Sequence, residues 1–269
     1  MYLLHFKKYL VTIFAVLVLL SAPINATENT LFFYNPESNI HDFRTLKQLF
    51  DSYLVEHGVY QFQPFDDKNT FESFLQQNSL FLLSSWHYLN LRKQGYTNLQ
   101  PVLVGTINDS MTYTKVLSTK KNIKNINTLH KKRIASSGDK KYTDNMLQNM
   151  AKRSGVEFKI LTVPKDIDAL MSILFGMAQG ALTSRHSLDT LSTLNPKKYQ
   201  LLHQHIESEA ITLPVVVMHK PIVNPSIKAL LIAIEKLPKS NSGKEILGML
   251  GWDGWRKVDS VESLKQGSN

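Results

Sequence analysis

Short apolar runs alternate with amphipathic stretches along most of the chain, the pattern of an α/β protein. Leu31-Phe32-Phe33-Tyr34 predicts a strand ending at Asn35-Pro36. Asp42 is placed to cap a helix whose apolar positions Phe43, Leu46, Leu49, Phe50, Tyr53 and Leu54 share one face, with Gly58 closing it. Val59 to Phe65 alternates as a strand, and Phe71, Phe74 and Leu75 predict a short helix. Leu80 to Leu83 reads as a buried strand that stops at Ser84-Ser85-Trp86, and Pro101 to Val104 as another. Tyr113 to Leu117 alternates. Arg133 to Ser136 predicts a strand, followed by a helix from about Tyr142 to Ser154. Phe158 to Val163 is a strand. Asp166 opens a helix that Gly176 closes, and Gly180 to Thr183 is a strand. Ile211 to Met218 reads as one long apolar strand. Ile227, Leu230, Leu231, Ile234 and Leu237 form one helical face, and Ile246, Leu247 and Leu250 another. The tail after Val258 is polar and expected to be loose.

The first 26 residues break this pattern. Lys7 and Lys8 precede an apolar run from Leu10 to Leu20 interrupted only by Thr12, and Pro23 and Asn25-Ala26 follow. This is the form of a secretory signal peptide, with an apolar run short for a bilayer-spanning helix. Cleavage is expected after Ala26, with an uncleaved anchor as the alternative because Ile24 stands at −3. No second run reaches membrane length, so the mature chain is expected to be soluble in a Gram-negative periplasm. The chain has no cysteine, which excludes disulfides, thiolate metal sites, a cysteine nucleophile and a lipoprotein anchor. With 269 residues, 43% of them hydrophobic, it is long enough for two modest domains. A formal charge of +9 favours anionic ligands. The lysines are scattered as on a solvated surface, so no nucleic acid partner is expected.

None of the phosphate-loop, dinucleotide, zinc-protease or nucleophile-elbow motifs occurs, and no cofactor is expected. His203 and His205 share one face of a strand-like stretch, which reads better as a polar strand than as a metal site. The informative feature is a repeated local design in which strands end in small hydroxyl residues where helices begin. Leu83 precedes Ser84-Ser85, Ala135 precedes Ser136-Ser137 with Tyr142-Thr143 at the next helix start, and Leu182 precedes Thr183-Ser184. Hydroxyls, free N–H groups and the dipole at a helix start together hold anions, although each is also an ordinary helix cap. In open α/β sheets ligands bind beyond the carboxyl ends of the strands.

Val163-Pro164-Lys165-Asp166-Ile167-Asp168-Ala169-Leu170, running through Phe175-Gly176 to Gly180-Ala181-Leu182, resembles the periplasmic phosphate/phosphite/phosphonate-binding proteins of ABC importers. Phe33-Tyr34-Asn35-Pro36-Glu37, Ser84-Ser85-Trp86-His87-Tyr88, Tyr113-Thr114-Lys115-Val116-Leu117, Lys132 to Gly138 and the closing Gly243 to Trp255 add to it in order. The resemblance implies a two-lobed type 2 periplasmic binding protein fold, each lobe a mixed sheet flanked by helices, joined by two hinge strands. Lobe 1 would comprise 27–109 and 213–269, lobe 2 residues 110–212. It implies capture of a small oxyanion by lobe closure, without catalysis, by a monomer that serves an ABC permease. Alternatives are a periplasmic sensor signalling to a membrane kinase or cyclase, and an enzyme of pyrimidine-precursor type on the same fold. The matching ligand positions are Tyr34, Ser84, Ser85 and Trp86 from lobe 1, and Ser136, Ser137, Tyr142, Thr143, Thr183 and Ser184 from lobe 2. Trp86 is either a stacking surface or a core aromatic. The strand end where amine-recognising members carry an acid reads Leu182-Thr183-Ser184 here, which favours a plain oxyanion. Trp252 and Trp255 are expected to pin the C-terminal segment onto lobe 1.

Overall fold

The computed structural model describes residues 29–37, 40, 42–151, 155–221 and 224–265, and the expected signal peptide lies outside them. The strands are β1 (Thr30–Tyr34), β2 (Gln61–Pro64), β3 (Leu80–Leu83), β4 (Leu99–Thr106), β5 (Thr112–Tyr113), β6 (Lys115–Lys120), β7 (Arg133–Ser136), β8 (Lys159–Thr162), β9 (Gly180–Ser184), β10 (Leu202–Glu207), β11 (Ile211–Thr212), β12 (Val215–His219) and β13 (Gly254–Lys257). The α-helices are α1 (Phe43–Val55), α2 (Lys68–Ser73), α3 (Ser85–Lys93), α4 (Lys140–Met150), α5 (Asp166–Leu174), α6 (Arg185–Leu194), α7 (Pro196–Tyr199), α8 (Pro225–Glu235), α9 (Asn241–Leu250) and α10 (Val261–Lys265).

They assemble into two mixed sheets. One has the order β13-β4-β12-β3-β1-β2, the other β10-β6-β9-β7-β8. Within the first, β1 runs parallel to β2 and β3. Within the second, β7 runs parallel to β8 and β9. Parallel strands need crossover helices, which cover both sheet faces. On the first sheet, Leu46 and Phe50 of α1, Leu230 and Ile234 of α8, and Ile246 and Leu247 of α9 bury one face. Phe71 of α2, Leu91 of α3 and Leu264 of α10 bury the other. On the second sheet, α5 and α6 pack on one face and Leu147 and Met150 of α4 on the other. Phe50 stacks on Phe62 with ring centroids 3.9 Å apart, and Trp252 is buried in the same core. The chain therefore has two α/β lobes, each a mixed sheet flanked by helices.

Between the sheets, β5 and β11 pair antiparallel, Ile211 against Tyr113 and Thr212 against Thr112. This divides two stretches that read as single strands. Tyr113 pairs in the crossover, while Lys115 begins a new register against Ser184. Ile211 to Met218 breaks at Leu213-Pro214, because Pro214 has no N–H to give a ladder. The α4 helix starts two residues earlier than its hydroxyls predicted, since the Asp139 carboxylate accepts from Tyr142 N–H at 2.6 Å and is the cap. The tail is anchored where it was expected to be loose: α10 puts Leu264 into the core, and the Thr212 hydroxyl donates to the Leu264 carbonyl at 3.3 Å.

Candidate functional site

The carboxyl ends of β1, β3, β7, β8 and β9 each hand over to a helix on the side where the two lobes meet. A cleft of about 900 Å³ opens there, lined by Glu37, Tyr113, Lys115, Ser137, Asp166, Ser184 and Ser187 among others. Its two walls touch at one end. Asp139 N–H donates to the Pro36 carbonyl at 2.8 Å, and Trp86 meets Tyr142 edge-on with centroids 5.7 Å apart. Gly138 permits this approach. A Cβ there would stand 2.9 Å from the Tyr142 ring and 3.4 Å from the Glu37 carbonyl.

Glu37 enters from the end of β1. The Asn35 side chain accepts from Glu37 N–H at 3.0 Å and turns the chain inward. The side chain is buried, only 5% of the residue remaining accessible. The Tyr113 hydroxyl donates to Oε2 at 2.8 Å. Oε1 is sealed from solvent and, among the described residues, has no partner in hydrogen-bond geometry, although the Ser84 hydroxyl and Trp86 N–H lie near the carboxyl. Burial raises the Glu37 pKa. The Tyr113 bond, Lys115, Ser84 and Trp86 N–H oppose that rise without cancelling it.

Lys115, the first residue of β6, is 3% accessible, and its backbone N–H donates to Ser208 Oγ at 2.9 Å. Its ammonium lies 6.0 Å from the ring centroids of both Tyr113 and Tyr142, an arrangement the negative ring faces favour. Among the described residues no carboxylate lies within ion-pair distance of it.

Asp166 opens α5 and turns its carboxylate across the lobe. Ser137 Oγ donates to Oδ1 at 2.6 Å, Ser184 N–H to Oδ2 at 2.6 Å, and Ser187 Oγ to Oδ2 at 3.3 Å. Burial pushes its pKa up, but Lys115 and these donors together hold it below the usual carboxylate value. An internal carboxylate thus occupies the donors that the hydroxyl pattern assigned to a bound oxyanion.

Of the residues expected to touch ligand, Ser137 and Ser184 line the cleft, and both serve Asp166. Ser136 and Thr143 are fully buried and bond each other at 3.2 Å. Thr183 is fully buried, and its Oγ1 has no partner among the described residues. Ser84 caps α3 through His87 N–H at 3.1 Å, and Ser85 Oγ donates to the Thr212 carbonyl at 2.5 Å. Tyr34 packs against Phe71 and His87; burial and then Asp139 raise its pKa. Trp86 and Tyr142 form the contact between the lobes. His203 and His205 meet edge-on on β10, with Thr119 Oγ1 2.8 Å from His205 Nε2.

The charged groups that dominate the cleft, Glu37, Lys115 and Asp166, were not singled out as ligand contacts. The signal for Lys115 is a charge at an inward position between apolar Tyr113 and Leu117. Asp166 carried the ordinary signature of a helix start, and Glu37 follows a strand-ending Asn-Pro like many turn residues.

A family model described as the periplasmic substrate-binding protein of a phosphonate ABC transporter matches residues 58–262. No curated protein matches the chain in sequence. Among solved structures the fold is similar to PhnD1 from Prochlorococcus marinus in complex with methylphosphonate, at 18% identity and a TM-score of 0.60 over 89% of this chain and 98% of that one. XAC2383 from Xanthomonas citri, bound to chloride ion, is similar at 13% identity and a TM-score of 0.60, over 89% and 96% of the two chains. A binding protein component of an ABC phosphonate transporter, PA3383 from Pseudomonas aeruginosa, is similar at 14% identity and a TM-score of 0.58, over 88% and 85%. At these identities the structural likeness is one of fold. Among the described residues no helix is long and apolar enough to cross a membrane.

Proposed function

Because this chain belongs to the family of periplasmic phosphonate substrate-binding proteins of ABC transporters, we propose that it captures a small solute bearing an oxyanion group, phosphate-, phosphite- or phosphonate-like, and delivers it to a membrane permease. In this reading the chain is an exported, non-lipidated periplasmic monomer and performs no chemical step. Its lobes are 27–109 with 213–269, and 110–212. The crossover strands β5 and β11 are the hinges about which they close on the solute.

The observation that carries the oxyanion is Lys115. A buried ammonium without a carboxylate partner is costly unless an anion meets it. A charge-assisted hydrogen bond from it contributes about 1.5–3 kcal/mol. A few such contacts in a water-poor cleft reach micromolar affinity, about 8 kcal/mol. The anionic group is placed at Lys115 rather than at Ser136 to Thr143, because those hydroxyls are buried among themselves or committed to Asp166.

The test is calorimetry and thermal shift with the mature protein against phosphate, phosphite, methylphosphonate, 2-aminoethylphosphonate, sulfate and small carboxylates. At least one oxyanion is expected to bind, and Lys115→Met to weaken it tenfold or more. Equal affinity of the variant would reject Lys115 as the anion contact.

A further inference from the structure

The cleft is larger than a bare oxyanion needs. Its volume of about 900 Å³ stands near the top of the range, about 300–1,000 Å³, in which pockets enclose drug-sized ligands. Beside Lys115 and the serines, its lining includes Ile40, Ile107, Leu213, Met249, Leu250 and Trp252. Leu250 and Trp252 belong to one core of the first lobe, and Ile40, Ile107 and Met249 pack on that core while staying partly open. The strand order sets where this carbon surface lies. The walls touch beyond β1 and β3, whereas Ile107 leaves β4, Leu213 precedes β12 and Trp252 precedes β13, on the other side of the sheet.

The facing wall is of another kind. Ser137, Lys165, Asp166, Ser184, His186 and Ser187 line it, with Pro164 as its apolar member. Closing one wall directly on the other would set hydrocarbon against charge, so the carbon surface is not there to seal the lobes together. Gly248, in the last turn of α9, lines the cleft as well. A Cβ there would meet nothing within 4 Å, so no packing contact demands a glycine. Glycine is the poorest helix former after proline. Its missing side chain leaves the α9 backbone open to the cleft beside Met249, and a bound hydrocarbon group can lie there in close contact.

Resting on the reading of this cleft as the solute site, we propose that the solute is an amphiphilic anion, its acidic group at Lys115 and a hydrocarbon substituent of several carbons laid over Gly248 against Ile107, Met249 and Trp252. Lys115 then sets the charge of the solute, and the α9 surface sets its length. The hydrocarbon gives the apolar surface a partner that the opposite wall does not offer.

Matched pairs that differ only in carbon chain test it on the unaltered mature protein: methylphosphonate and hexylphosphonate, methanesulfonate and hexanesulfonate, acetate and hexanoate. Each buried methylene strengthens binding about three- to fourfold. By calorimetry the longer member is therefore expected to bind at least tenfold more tightly in any pair that binds. In Gly248→Gln, whose side chain stands where the hydrocarbon would lie, the preference should fall to about threefold or less. Glutamine also favours the helix over glycine, so the melting temperature of the unliganded variant should be no lower. Equal or weaker binding of the longer member overturns the amphiphile and leaves the oxyanion receptor standing, as does a preference that survives in Gly248→Gln. A melting temperature lowered by about 3 °C or more overturns it as well, because the protein itself would then fill that space. Failure of all six compounds overturns it too, and if phosphate, phosphite and sulfate also fail, the solute-site reading falls with it.

Discussion

Glu37 shows what a single residue costs this fold. Its pKa is raised because burial penalises the carboxylate more than Tyr113, Lys115 and the neighbouring donors favour it. A group whose folded pKa lies above its unfolded value binds protons more tightly in the folded state. Its contribution to stability is therefore complete below the unfolded value, near 4.5, and is lost as pH rises through the folded value. Glu37→Gln removes that loss. In the absence of solute, the melting temperature of the variant minus that of the unaltered protein should be more positive at pH 8 than at pH 4.5, by about 2 °C or more. Thermal scans at the two pH values check this, and a difference that shrinks or reverses with rising pH contradicts the burial assigned to Glu37. Residues of this kind were the least legible in the sequence. Hydroxyls at strand ends announce anion chemistry by type, whereas Ser137 spends its hydroxyl and Ser184 its backbone N–H on Asp166, a partner 29 and 18 residues away along the chain. Only the folded arrangement sets which acid reaches which donor.

At the scale of elements, legibility followed the strength of the local signal. The helix capped by Asp42 was readable from its six-position apolar stripe and its cap, and Thr45 N–H indeed donates to Asp42 Oδ1 at 2.9 Å. Strands β3 and β7 were readable as short apolar runs ended by serines. The two strands that the structure divides share one cause. Tyr113 to Leu117 and Ile211 to Met218 are each continuous in hydrophobicity, but each passes from the crossover ladder into a different sheet. Hydrophobic pattern records burial and does not record which neighbour a strand pairs with. Packing between elements also leaves a mark at Gly243 in the first turn of α9. A Cβ there would fall 2.0 Å from the Leu237 carbonyl oxygen, so the helix reaches its place only without a side chain at that position. Gly243→Ala should cost about 1–3 kcal/mol by forcing α9 away from the Leu237 turn. That corresponds to about 2–4 °C in melting temperature per kcal/mol for a chain of this size. A melting temperature within 1 °C of the unaltered protein would place α9 further from that turn.

For the molecule as a whole, two covered sheets joined by a narrow antiparallel crossover separate stability from function. Each lobe buries its own core on both sheet faces, so the contacts between lobes are free to serve the solute. Among the described residues those contacts include Asp139 N–H to the Pro36 carbonyl, Trp86 against Tyr142, and Tyr113 reaching from the crossover to Glu37. Two α/β lobes were legible from the ordered family motifs, because fold-level similarity survives where individual ligand contacts drift. The contents of the cleft were not, since its charged groups come from β1, β6 and the start of α5 and converge only in three dimensions. The most direct measurement is a crystal structure of the mature protein with the tightest-binding solute of the panel. The account predicts that the acidic group of that solute lies within about 3.2 Å of Lys115 Nζ, between the lobes. A solute seated elsewhere, or held by Ser136 and Thr143 with Lys115 uninvolved, would contradict it.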